Sequence, residues 1–267
     1  MKYLFAGKET AAKRLEKVNE VFSRSSEVFV KSNIKNKINV CIDLGCGPGE
    51  TTLDLASWIN PVECIGLDNS DYFILRAQKL SENYSAIKYK LHDVTKIPFP
   101  AKKADLIYAR FLLTHLKNPV MCMKKWSTQL NPGGMLLIEE TEYIKTNVPV
   151  FLKYLAVVES MLNSNKNLLY VGKLLDDSCY EPEFSEKFSE IRKVSAAVKD
   201  AAEIFLLNIP SWKNNGFVRE NYADNEIKEI EDEISKLLST GERENNRRLI
   251  EWGIRQIALL NSKNNIK

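Results

Sequence analysis

Histidine is scarce: His92 and His115 are the only two in 267 residues, which excludes a histidine-based metal centre as a working reading. Paired cysteines are also lacking. Cys41, Cys46, Cys64, Cys122 and Cys179 are odd in number, scattered and never in a CxxC pair, which fits free thiols in a reducing compartment better than a disulfide framework or a zinc site. There is no run of 18 apolar residues that would span a bilayer as a helix. The opening MKYLFAGKETAAKRLEK has no apolar centre of the kind a signal peptide needs. Excess charge of one sign is missing too. The 38 basic and 35 acidic residues leave a net +3, too little at this length to argue for a nucleic-acid or membrane surface. Together these absences lead us to expect a cytoplasmic protein.

What is present is ordinary for a globular chain, with 44% hydrophobic and 27% charged residues, enough for one large domain or one with an insertion. Leu15, Val18, Val21 and Phe22 are spaced as on an amphipathic helix over residues 8–31, with a break expected at Ser23–Ser26. Asn33–Lys37 reads as a linker. Short apolar strands then alternate with helical stretches. Strands are expected at Asn39–Leu44, Glu63–Leu67, Ala86–Leu91, Ala104–Ala109 and Met135–Glu139. Helices are expected at Glu50–Trp58, Tyr72–Asn83 and Met121–Leu130, and a turn at Asn131–Gly134. This alternation predicts a doubly wound, mostly parallel α/β sheet with helices on both faces.

Beyond Glu140 the pattern predicts helices at Val148–Leu162, Leu168–Leu175, Ala201–Leu207 and Asn225–Leu238, and a sixth strand at Glu190–Val198. Ile250–Leu260 is assigned as a strand because such a sheet needs an antiparallel edge. The expected organisation is an N-terminal helical segment or lid at 1–37, followed by a domain at 38–267. Within that domain, 38–140 forms the core and 141–267 supplies a cap and the last strands.

The strongest local feature is Asp43-Leu44-Gly45-Cys46-Gly47-Pro48-Gly49. Glycines at a strand-to-helix turn permit a tight bend and close ligand approach, at the carboxyl edge where open sheets bind ligands. A glycine triad alone also suits dinucleotide binding. Here, however, the glycines alternate rather than following GxGxxG, and Asp43 would repel a phosphate while suiting an ammonium. Asp68, 25 positions on, closes the second strand, where a carboxylate can accept from both ribose hydroxyls. Asp93 closes the third, where it can accept from an adenine amino group while Val94 offers its backbone. Any one of these aspartates alone would pass for a cap or turn residue. Three at consecutive strand ends read as a nucleoside site.

The segments VCIDLGCGPG, GLDNS, HDVTKIPFP, ADLIYARFLLTHL and LNPGGMLLIEE, in this order over residues 40–140, resemble the successive motifs of class I S-adenosylmethionine (SAM) dependent methyltransferases. The resemblance implies a seven-stranded sheet with its last strand antiparallel, and SAM as cofactor. It implies that Gly45, Gly47 and Gly49, with Cys46 between them, line the methionine and ribose. Asp68 would hold the ribose, Asp93 and Val94 the adenine, with Asn69 beside it, and Arg110 would lie near the methionyl end. A looser likeness to bacterial small-molecule enzymes makes Arg14 a candidate for the SAM carboxylate, with a solvated helix face as the alternative.

The expected activity is methyl transfer to an oxygen, nitrogen or carbon of a small-molecule acceptor by a monomer or homodimer. RNA or protein acceptors, and SAM binding without turnover, are the alternatives; a nicotinamide dehydrogenase is more distant. YARF stands where amino-methylating enzymes of DNA carry Asn-Pro-Pro-Tyr. No base is assigned: His115 is a candidate, with packing beneath a helix as its competing role. Glu139, Glu140 and Glu142 are placed at the carboxyl edge, one against the substrate and the others in solvent. Tyr143, Tyr154 and Tyr170 are candidates for an acceptor pocket or for the core.

Overall fold

The computed structural model describes residues 8–240 and 249–262. They fall into two compact units, one comprising residues 8–22, 143–169, 193–240 and 249–253, the other residues 23–142, 170–192 and 254–262. Strands β1 (Val40–Leu44), β2 (Glu63–Asp68), β3 (Ile87–Leu91), β4 (Ala104–Arg110), β5 (Leu130–Thr146), β6 (Phe184–Ser195) and β7 (Ile250–Asn261) form a seven-stranded sheet. Their order is β3-β2-β1-β4-β5-β7-β6. The first five are parallel, with Ile42 of β1 facing Ile65 of β2 and Ile107 of β4. At β7 the direction reverses. Asn147 donates its amide to Leu249 while the Asn261 side chain donates to the Asn131 carbonyl, and Ala196 donates to Ile250 while Ser262 donates to Glu183. The long return of β7 between β5 and β6 is therefore antiparallel to both.

In the second unit the period of two along each strand builds two cores. Ile42, Leu44, Ile65, Leu67 and Ile107 point to one face, where they meet Met123 and Trp126 of α4 (Pro119–Trp126) and Leu175 of α6 (Gly172–Asp176). Cys41, Cys64, Leu106 and Tyr108 point to the other. There they meet Phe29 and Val30 of α1 (Lys8–Asn33), Leu55 of α2 (Glu50–Ile59), and Ile74 and Ala77 of α3 (Asp71–Leu80). Helices thus cover both faces, as the alternation of elements predicts. Each fully buried Leu or Ile contributes roughly 1.5–3 kcal/mol through removal from water.

The first unit carries α5 (Pro149–Ser164), α7 (Val198–Trp212), α8 (Gly216–Asn221) and α9 (Asp224–Thr240). Its core is aromatic: Tyr154 stacks on Phe205 with centroids 4.3 Å apart, and Phe151 meets Phe205 edge-on at 5.0 Å. Trp252 lies edge-on to Phe22 at 5.6 Å.

Several sequence expectations are corrected. Helix α1 runs unbroken through Ser23–Ser26, because Ser26 is wholly buried and bonded to Arg110, so a tertiary contact outweighs the weak helix preference of a serine run. The Asn131–Gly134 stretch is not a turn between elements. It belongs to β5, which is 17 residues long, with an irregularity in its pairing between Ala104 and Leu106 of β4. The helix expected to reach Leu130 stops at Trp126 and gives way to a 3₁₀ turn at Ser127–Gln129. β6 begins at Phe184, six residues before the expected start, and is mostly exposed on both faces, so its alternation is not written in hydrophobicity. Helix α8 was not expected, and α7 extends to Trp212 through Pro210. The basic end of the charged stretch 225–248 lies outside the described residues.

Gly66 is the tightest point of the β2–β3 pairing. A Cβ there would stand 2.6 Å from the ring of Tyr89, its register partner, and 2.9 Å from Cys46 Sγ. Gly66→Ala should therefore lower stability by about 1–3 kcal/mol through overpacking, read as a reduced urea midpoint with unchanged m.

Candidate functional site

The glycine-rich segment leaves the buried end of β1 and is held to β2 by backbone bonds. Gly45 and Cys46 both donate to the Leu67 carbonyl, at 2.7 and 3.1 Å. Gly45, Gly47 and Gly49 all have positive φ, at 68°, 54° and 107°, a conformation that costs any residue with a Cβ. Their placement at alternate positions therefore reflects backbone geometry. The Gly49 carbonyl accepts from Leu53 at 3.0 Å and starts α2. Cys46 turns its side chain inward and is buried, so it offers a ligand only backbone. Burial pushes its thiol well above the usual range.

Asp68 clasps this loop. Its Oδ2 accepts from the Gly47 amide at 3.0 Å and its Oδ1 from the Ser70 amide at 2.8 Å. Only 5% of the residue is exposed. Burial raises its pKa, and the Ser70 and Gly47 amides pull against that rise. Each carboxylate oxygen has a second lone pair for a further donor. Asn69 beside it is exposed. At the end of β3, Asp93 Oδ1 accepts from the Thr95 amide at 3.0 Å and its hydroxyl at 2.7 Å. Burial acts to raise the Asp93 carboxyl, but these two bonds and Lys96 outweigh it, so it stays ionised below the usual carboxylate range. The Val94 side chain is buried, and its carbonyl accepts from the Trp126 indole at 2.8 Å.

Beneath the loop, Asp43 is almost wholly buried and accepts from the Thr52 hydroxyl at 2.7 Å. Burial pushes its carboxyl up to about 7, against the Thr52 hydroxyl and the Arg110 guanidinium. Arg110 is itself a strut. Nη1 donates to Ser26 of α1 and Nη2 to Thr51 of α2, both at 2.9 Å. Thr51, Thr52 and Ser26 were absent from the sequence expectations. The two threonines lie in the first turn of the helix after the glycine turn and were findable there, whereas nothing local marks Ser26. Phe111, next to Arg110, has a φ of 52°, a strained value for a bulky residue.

The three glutamates of β5 are all engaged, which corrects the expectation of solvated side chains. Glu139 accepts from Tyr108 and from Gln256, the latter at 2.7 Å. Glu142 pairs with Arg255 at 3.1 Å, and Arg255 also reaches Asp176. Glu140 accepts from the Leu112 and Leu113 amides at 2.7 and 2.5 Å, capping the 3₁₀ turn Leu113–His115. His115 ends that turn and is half-buried. In the other unit, Tyr154 is a core residue whose hydroxyl accepts from Asn208 at 2.6 Å, and Tyr143 donates to Glu251 at 3.0 Å. Tyr170 lies half-buried in the segment before α6. Arg14 lies in α1, close enough to Tyr154 to affect its ionisation.

Burial pushes Glu140 up to about 8, against its backbone donors. The folded protein thus keeps a proton there that the unfolded chain loses near its ordinary 4.5. The stabilisation is complete below that value and is lost as pH rises to about 8, by at most about 1.4 kcal/mol per pH unit. Glu140→Gln cannot titrate, so its stability relative to wild type should improve steadily from pH 5 to 8. Urea midpoints across that range check this; a constant difference would assign Glu140 an ordinary titration.

Residues 42–138 match the family model described as a methyltransferase domain. The chain is 33% identical over 130 residues to tRNA U34 carboxymethyltransferase of Nautilia profundicola, a stretch covering 46% of this chain and 43% of that protein. It is 26% identical over 142 residues to demethylmenaquinone methyltransferase of Staphylococcus carnosus, covering 51% and 58%. The chain thus spans about half the length of these relatives. The cyclase SpnF shares the fold, with a TM-score of 0.56 at 15% identity over 90% of this chain and 81% of that one. Strand order, the order of the motifs and the domain match all agree that residues 42–138 form a methyltransferase domain with the class I S-adenosylmethionine-dependent fold.

Proposed function

We propose that this protein transfers the methyl group of SAM to an oxygen, nitrogen or carbon of a small-molecule acceptor by in-line displacement. The observation that carries the reading is the clasp of Asp68 on the Gly47 amide. It joins the glycine turn to a carboxylate with lone pairs left for a ribose. The donor set fits the cofactor in other respects. Asp43 lies under the turn and disfavours phosphate, and Asp93 has one carboxylate oxygen committed to Thr95, with the other proposed for the adenine amino group. We assign the Val94 amide and Asn69 to the adenine, and Gly45, Gly47, Gly49 and the Cys46 backbone to the ribose and methionine. Arg110 and Arg14 are assigned to the methionyl end.

Bound SAM supplies a methyl group on a sulfonium, already strongly electrophilic. The chain's part is to hold the acceptor in line and exclude water, and orientation of this kind lowers barriers by roughly 7–11 kcal/mol. A base is needed only where the acceptor must lose a proton. His115 is the candidate, held at the end of a turn whose amides are fixed by buried Glu140. Residues 1–37 and 141–267, outside the cofactor core at 38–140, are assigned the choice of acceptor.

The demethylmenaquinone methyltransferase likeness favours a small organic acceptor. The tRNA-modifying relative favours RNA as the second reading, and the net charge of +3 weighs against it. A fold shared with a cyclase means that fold alone does not decide chemistry.

Isothermal titration should give binding of SAM and none of NADH. Asp68→Ala should weaken SAM binding about 10- to 100-fold, through loss of charge-assisted bonds, with circular dichroism verifying that the variant folds. Unchanged affinity would remove the ribose assignment. With methyl-labelled SAM, label should enter the metabolite fraction of a cell extract. Label confined to the RNA fraction would establish the second reading, and none in any fraction would favour binding without turnover.

A further inference from the structure

Beside the glycine turn the hydroxyls of Tyr89 and Ser81 meet. Tyr89 of β3 is buried, with 8% exposure. Its ring lies over Gly66, its register partner on β2. Its hydroxyl donates to the Gly49 carbonyl at 3.3 Å. With that proton committed, the 2.9 Å contact to Ser81, the residue that ends α3, is donated by the serine. A relay Ser81→Tyr89→Gly49 therefore runs from the end of α3 to the carbonyl that begins α2. Gly49 is confined on its other side as well. A Cβ there would lie 2.8 Å from Ala77 Cβ and 2.9 Å from the Tyr89 hydroxyl. Burial holds the Tyr89 phenol above its ordinary range, so it remains a donor at working pH.

We propose that Tyr89, oriented by Ser81, is a positioning residue for cofactor binding: it fixes the third glycine of the turn so that the loop is preformed before SAM arrives. This rests on the SAM reading above. The glycines that let a ligand approach also leave the loop conformationally free, and ordering it on binding would cost affinity. Asp68 restrains the loop at Gly47 and the Leu67 carbonyl restrains it at Gly45 and Cys46. Among side chains, Tyr89 is the described donor to the Gly49 carbonyl, sharing it with Leu53. Gly66 is the complement, since a side chain there would displace the ring.

The test uses the full chain and S-adenosylhomocysteine as the probe, by calorimetry, with amide hydrogen exchange over residues 45–50. Tyr89→Phe keeps the ring and removes the donor. We expect its dissociation constant to rise about 5- to 10-fold, the scale of one lost hydrogen bond, with faster exchange in the turn. Tyr180→Phe serves as the control, because it removes another buried phenol bond, to the Leu175 carbonyl at 2.8 Å. It should lower Tm without changing affinity. A Tyr89→Phe protein that loses Tm yet binds within twofold of wild type would overturn the proposal and leave Tyr89 purely structural. Wild type failing to bind would instead overturn the SAM reading, and this inference with it.

Discussion

The glycine turn depends on one carboxylate. Asp68 ends β2 and divides its oxygens between the Gly47 amide of the turn after β1 and the Ser70 amide that leads into α3. Two βα connections are thereby tied to one strand tip. A buried carboxylate without donors would shift towards its neutral form or destabilise the fold. Backbone amides offset that cost here, and the same need for donors is the basis for the proposed contact with two sugar hydroxyls. Structural anchoring and the proposed ribose contact use different lone pairs of one carboxylate, so the turn and the ribose position would be set together.

The rest of this edge follows the same logic. Asp43, Glu139 and Glu140 are each nearly inaccessible, and each is matched by donors: Thr52 for Asp43, Gln256 and Tyr108 for Glu139, and the amides of a 3₁₀ turn for Glu140. On the proposed reading, Asp43 beneath the glycine turn disfavours a pyrophosphate and tolerates a cationic methionyl group, whereas Glu140 keeps its proton up to about pH 8 and adds no charge there. Arg110 is the counterweight. By donating to Ser26 and Thr51 it fastens α1 and α2 to the end of β4, while its charge restrains the rise in the Asp43 pKa. Arg110 thus has a structural role in addition to the one proposed at the methionyl end.

Strands β1, β2 and β4 of the parallel half were legible because they are short and apolar on both faces, with β1 closing on Gly45 and β2 on Asp68. Hydrophobic runs such as NVCIDL and ADLIYA, short and rich in β-branched and aromatic residues, fit strands buried in a parallel sheet. The C-terminal half was less so. β6 is exposed on both faces and carries no alternation to read. β5 runs through Asn131-Pro132-Gly133-Gly134, whose residues signal a turn, because pairing with β4 outweighs local preference there. The unbroken passage of α1 through its serines has the same cause, a buried contact formed 84 residues away in sequence.

The order of elements, the glycine turn and the three aspartates at strand ends were determined by the sequence alone, because hydrophobic period, positive-φ glycines and terminal carboxylates are local properties. Which of those groups hold one another was decided only by the tertiary structure. The clasp of Asp68 on Gly47, the strut of Arg110, the burial of all three β5 glutamates' hydrogen bonds within protein partners and the Ser81–Tyr89–Gly49 relay join residues far apart in the chain. Hydrogen bonds of that kind depend on donor–acceptor distances held to within a few tenths of an ångström between groups on different strands, turns and helices, which no local pattern of residues encodes.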